Sequence, residues 1–245
     1  MQESVPVGTP EARPFAGTPA ETSAAGGSAL EDPRALQILS TEHWSLLATR
    51  SLAYNEAFSR AGMFLTFLSA TLIVIGFLIG SQGLTVAVVP VAAILLLADL
   101  YIGAATVGRL IDANREELDM VRGMNRIRHA YREMVPGLEP YFITGFHDDA
   151  RGVLAAYGGV TSRPGVLSNI VHGLTTMIGM VATVVAMILG ALAALLAIGL
   201  GAPAEVALLF AIVGFLVGNI SFAVAGMRTH VTQQARAESR FPTPD

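Results

Sequence analysis

Four apolar runs, each near the roughly twenty residues an α-helix needs to cross a bilayer core, restrict this chain more than any other feature. They are "MFLTFLSATLIVIGFLIG" (63–80), a run from about 84 to 107, a run from about 168 to 199, and "VALLFAIVGFLVGNISFAVAG" (206–226). In lipid a backbone must satisfy its own hydrogen bonds, so such runs read as helices. Composition agrees, with 53% of the 245 residues hydrophobic and 14% charged, against about a quarter charged in soluble domains. The expected fold is all-α: four transmembrane helices arranged as two hairpins in a lipid bilayer.

Orientation follows from the basic residues, which are held on the cytoplasmic side of a membrane. All fifteen are arginine. Four precede the first span (Arg13, Arg34, Arg50, Arg60), eight lie between spans two and three (Arg109 to Arg163), and three follow the last (Arg228, Arg236, Arg240). The turns near 81–83 and 199–203 carry none. Both termini and the central segment are therefore expected in the cytoplasm. Arginine without lysine, beside abundant alanine, suggests a GC-rich genome and hence a bacterial cell membrane.

The expected order of segments is a disordered tail (1–31), an amphipathic cytoplasmic helix (32–62), hairpin one (63–107), a cytoplasmic helix continuing span two (108–135), a cytoplasmic loop (136–167), hairpin two (168–227) and a C-terminal tail (228–245). The first tail is rich in Pro, Gly, Ala, Ser and Thr and cannot bury enough apolar surface to order itself. It lacks the basic start and apolar core of a signal peptide. Asp32 and Pro33 form a reasonable start for the first helix. At 100° per residue its apolar face gathers Leu36, Leu39, Leu46, Leu47, Tyr54, Ala57, Phe58 and Ala61, with Trp44 at the edge and His43 and Arg50 interrupting the stripe. His43 and Arg50 are candidate site residues, each also explicable by an acidic neighbour.

Beyond span two, Asp112, Arg115, Asp119, Arg122, Arg126, His129 and Glu133 share one helical face with mostly alternating signs, the pattern of a solvated, ion-paired stripe. The opposite face carries Leu110, Met120, Val121, Met124, Ile127, Tyr131, Met134 and Val135 and needs an apolar partner; the first helix supplies one, with Leu47 facing Ile127. The loop that follows contains His147, Asp148 and Asp149. Consecutive side chains seldom converge on one ion, so no metal site is expected there, and Asp149 and Arg151 read as ordinary solvated charges.

No cysteine is present, which removes disulfides and thiolate metal sites. Walker, G-x-G-x-x-G, G-x-S-x-G and H-E-x-x-H signatures are absent. No enzymatic activity, cofactor or metal is expected, and a net charge of −4 argues against nucleic acid as a partner.

Inside the membrane, "GFLIG" (Gly76, Gly80) and "GFLVG" (Gly214, Gly218) allow close helix approach. Asp99 and Asn219 are the deep polar candidates, about 15 and 14 positions from the outer turns, and so at nearly equal depth at 1.5 Å per residue. Asn169 and His172 are candidates at the interface. For Asp99 two readings stand: a structural group bonded to Asn219, Tyr101 or a serine, or a group lining a wet path.

On the segments "LQILSTEHWSLLATRSLAYNEAFSRAGMF", "RGMNRIRHAYREMVPGLEPYF" and "HDDARG", the chain resembles an uncharacterised family of bacterial, mainly actinobacterial, integral membrane proteins across residues 35–230. That resemblance implies the four-helix architecture and assigns no functional residue. In plan alone it is similar to two-span effector modules of bacterial conflict systems thought to form pores. The expected function is an oligomeric, non-enzymatic membrane scaffold or sensor with a cytoplasmic docking module and a possible protein partner; the alternative is a small channel or pore.

Single cysteines at Gln82 and Ala202 are expected to react with an impermeant thiol reagent in intact cells, and single cysteines at Ser28 and Gln234 to stay unlabelled. Labelling of Ser28 from outside would overturn the orientation read from the arginines.

Overall fold

The computed structural model describes residues 29–157, 173, 175–236 and 238–244. Its long elements are helices: α1 (Ala35–Gln82), α2 (Val88–Met134), the short α3 (Ala150–Ala155), α4 (Met177–Gly199) and α5 (Ala204–Arg236), with 3-10 turns at Ala29–Glu31 and Glu139–Tyr141. No strand occurs among the described residues. The segments α1, α2, α4 and Ala204–Arg228 of α5 are each long and apolar enough to cross a membrane.

The first two helices do not stop where their apolar runs stop. With 48 residues, α1 is about 70 Å long at 1.5 Å per residue, more than twice the roughly 30 Å of a hydrocarbon core. Its inward positions are Leu39, His43, Leu46, Arg50, Ala53, Ala57, Ala61, Phe64, Leu68, Thr71 and Ile75, spaced almost regularly three and four apart. That spacing is the seam of two helices packed side by side. Pairs across the seam run in opposite directions along the two chains: Leu46 meets Gly123, Arg50 meets Glu117, Glu56 meets Arg109, and Phe64 meets Gly103. The helices are therefore antiparallel along their length.

The second pair repeats the geometry with smaller residues. A Cβ added at Gly190 would lie 2.6 Å from the Ala211 carbonyl oxygen, and one at Gly218 would lie 2.8 Å from the Ala186 Cβ. Such contacts put two backbones close together, the arrangement that small residues permit in lipid. Of the two glycine pairs in the sequence, Gly214 and Gly218 take this role, whereas a Cβ at Gly76 or Gly80 would meet nothing within 4 Å.

The two pairs join through α4 lying against α2. Gly103 marks the junction, since a Cβ there would lie 2.6 Å from Val185 Cγ2 and 2.8 Å from Phe64 Cε2. Around it Phe64, Leu68, Leu96, Val107, Val181, Val185 and Ile188 form one buried apolar cluster. A second, smaller cluster lies at the charged end, where Val121, Met124 and Val153 pack with Leu46 and Leu118.

Several expectations need correction. The inward stripe of α1 is rotated from the one drawn by periodicity, so Leu47 is 42% exposed and Trp44 72% exposed, while Ile127 is buried as expected. It is Leu46 that faces α2. His43 and Arg50 lie on this inward face, as polar positions within it. Asp32 does not cap α1, because Arg34 holds the N-cap position and the Asp32 carboxylate instead accepts from the Arg34 amide and guanidinium at 2.8–3.1 Å. The outer turn lies later than expected, with α2 starting at Val88. Pro90 then falls in the first turn, where its missing N–H has no helical partner to lose. The expected disordered tail falls outside the described residues except for Ala29–Glu31, which form a 3-10 turn.

Candidate functional site

Asp99 lies on the α1–α2 seam and is 0% exposed. Buried Thr71 of α1 is the polar side chain facing it, yet neither carboxyl oxygen has a hydrogen-bond partner. The bonds expected from Asn219 or Tyr101 do not form. Tyr101 is exposed, and the half-buried Asn219 belongs to the other helix pair, where its Nδ2 donates to the Phe215 carbonyl at 3.0 Å and its Oδ1 accepts from Thr183 at 3.4 Å. The similar depth expected of the two residues is thus not accompanied by contact. Asn169 and His172 lie outside the described residues.

Beyond the apolar segments several polar side chains are paired across elements. Arg50 donates through Nη2 and Nε to one Glu117 oxygen at 2.7 and 3.1 Å, and the Tyr157 hydroxyl donates to the same oxygen at 3.0 Å. Burial, and then the neighbouring Glu117 charge, push the Tyr157 hydroxyl above its ordinary range, which keeps it a donor at neutral pH. The acidic neighbour expected for Arg50 is thus Glu117, contributed by α2. His43 stacks on Tyr131 at 6.0 Å; burial, and then Arg128, lower its pKa, favouring the neutral ring. Among the described residues no three His, Asp or Glu side chains gather as a metal site.

The most connected polar site was not anticipated from the sequence. Asp148 is 1% exposed. Four donors surround its carboxylate, and three come from the far end of the chain: Ser239 Oγ at 2.7 Å, the Arg240 amide at 2.9 Å and the Phe241 amide at 2.8 Å. The fourth is Arg126 Nε at 2.7 Å. Arg126 also donates from Nη2 to the Glu238 carbonyl at 2.8 Å, and the Asp148 amide donates to the Phe241 carbonyl at 3.2 Å. The Phe241 ring stacks on His129 with centroids 4.0 Å apart.

Local structure holds this acceptor in place. Asp149 caps α3, its Oδ1 accepting from the Gly152 amide at 2.9 Å, and the same oxygen accepts from Thr243 Oγ1 at 2.7 Å. Asn125 on α2 donates through Nδ2 to the His147 carbonyl at 2.7 Å, fixing the loop against the helix. A Cβ on Gly152 would collide with the His147 carbonyl, so the loop closes only over glycine there. The run "HDDARG" thus builds a cap and a buried acceptor, and of these only the Asp-to-Gly capping spacing was open to recognition in the sequence.

Comparison with family models, with curated proteins and with solved structures finds no match to the chain.

Burial alone would raise the Asp148 pKa, but the Arg240, Ser239, Phe241 and Arg126 hydrogen bonds outweigh it and hold the carboxyl well below its ordinary range. A carboxyl depressed in the folded state contributes stability that is fully present above its unfolded value of about 3.9 and is lost as pH falls through the folded value. Thermal stability followed from about pH 7 to pH 3 is expected to fall more steeply in the parent chain than in Asp148→Asn. Equal acid sensitivity of the two would contradict this role.

Proposed function

We infer that the protein is an oligomeric, non-enzymatic integral membrane protein of the bacterial cell membrane, acting as a scaffold or sensor whose cytoplasmic helices dock a protein partner. The observation that carries this reading is the length of α1 and α2. About half of each helix extends past what a bilayer needs, and the projecting halves form an ordered unit with its own apolar cluster and partly buried ion pairs. An open apolar cleft of about 240 Å³ between Leu36, Tyr131, Met134, Val135, Leu138 and Phe142 adds surface suited to a partner. Both termini in the cytoplasm follow from the arginines, and the family resemblance belongs to the same proposal.

The alternative, a channel lined by Asp99 and Asn219, requires both residues to face one aqueous path. They lie on different helix pairs, and Asp99 is sealed from solvent among apolar neighbours. That arrangement favours the docking protein. Protein reconstituted into lipid vesicles is expected to add no ion flux over protein-free vesicles, and particles isolated in lipid nanodiscs are expected to hold more than one copy. Ion flux that Asp99→Asn abolishes would overturn the reading in favour of a pore.

A further inference from the structure

The C-terminal segment 238–244 meets the rest of the protein in the manner of a bound peptide. It has no helix or strand and bends at Arg240 and Phe241, its residues other than Phe241 and Thr243 are exposed, and its contacts come from a short run of hydrogen bonds and one ring stack. The surface that holds it is made by α2 (Arg126 and His129) and by the start of α3 (Asp148 and Asp149). Two carboxylates dominate this surface. Ionised carboxylates accept hydrogen bonds and donate none, so Asp148 and Asp149 select a ligand that offers several donors in register and disfavour a carboxylate at the positions that meet them.

The tail supplies that register. Two consecutive amides and a hydroxyl converge on Asp148, a second hydroxyl four residues later reaches Asp149, and the aromatic ring between them covers His129. Main-chain donors give affinity for any peptide that takes this bend, while the two hydroxyls and the ring add selectivity. Pro242, next to the ring, fixes its own φ and has no amide to leave unpaired. Every copy of this chain carries the fitting segment, so in an assembly of copies a second tail is the ligand nearest to hand.

We propose that Arg126, His129, Asp148 and Asp149 form a peptide-binding site, that the Ser-Arg-Phe-Pro-Thr segment of the chain's own tail is its tethered ligand, and that the site takes the same segment from a second copy. The exchange between copies rests on the oligomeric reading above; recognition of the peptide does not. In the tethered state the tail joins the end of α5 to α2, so its release uncouples the second helix pair from the projecting part of the first.

A fluorescent synthetic peptide, Glu-Ser-Arg-Phe-Pro-Thr-Pro-Asp, tests this on the full chain in mild detergent. The S239A/F241A chain keeps the site but weakens its own tail, and it is expected to bind the peptide at least tenfold more tightly than the parent. Adding Asp148→Asn should reduce that binding at least tenfold, and a peptide with Asp in place of its Ser should bind weakly. In the unmodified parent, excess peptide should speed removal of the chain's own tail by carboxypeptidase. No peptide binding by S239A/F241A, or an unchanged rate of tail removal in the parent, would overturn the proposal. Peptide binding by a protein that proves monomeric would remove the oligomeric reading and the exchange, and leave the site standing.

Discussion

The seam between α1 and α2 is the constraint on which the other features depend. It crosses two environments in one continuous register. Within the apolar segments lipid tails are as apolar as leucine, so helices associate through close contact rather than through the hydrophobic effect. Phe64, Gly103 and Val185 provide that contact. Outside them water makes apolar burial favourable again, and Leu46, Val121 and Met124 take over. A break in either helix would separate the two regimes, and none occurs between Ala35 and Gln82 or between Val88 and Met134.

Charge is placed where this register needs direction rather than bulk attraction. Glu117 gathers Arg50 from α1 and Tyr157 from the segment after α3, while Asp148 gathers Arg126 and the C-terminal tail. A buried charge left unpaired is costly, so each carboxylate penalises arrangements in which its donors lie elsewhere. The surface pair of Asp112 with Arg115 is a different matter; exposed pairs of this kind contribute roughly 0–1 kcal/mol. Asp99 stands apart from both groups. It is buried on the seam without a hydrogen bond, a position that insertion scales make unfavourable by about 2.5–3.5 kcal/mol for an ionised group at the bilayer centre.

Helix number and class were legible because hydropathy over twenty residues is a strong signal. Helical phase was less so. Leu46 and Leu47 are chemically alike, and in a helix whose lipid face is also apolar, periodicity does not separate the side facing a neighbour from the side facing lipid. Depth predicted that Asp99 and Asn219 lie level but carried no information on facing direction, and they turn to different partners. The tail was not legible at all, because a seven-residue segment without periodicity meets residues more than ninety positions earlier. Arg50 pairing with an acidic residue was anticipated in kind, with its partner 67 positions away.

The register of the seam outside the apolar segments is the claim from which the docking unit, the Arg50–Glu117 pair and the tail site all follow. The chain has no cysteine, so introduced pairs report without background. Mild oxidation of the full chain carrying Leu46→Cys and Gly123→Cys is expected to form an intramolecular disulfide at least tenfold faster than the chain carrying Leu47→Cys and Gly123→Cys. Equal rates, or faster closure of the Leu47 pair, would contradict the account.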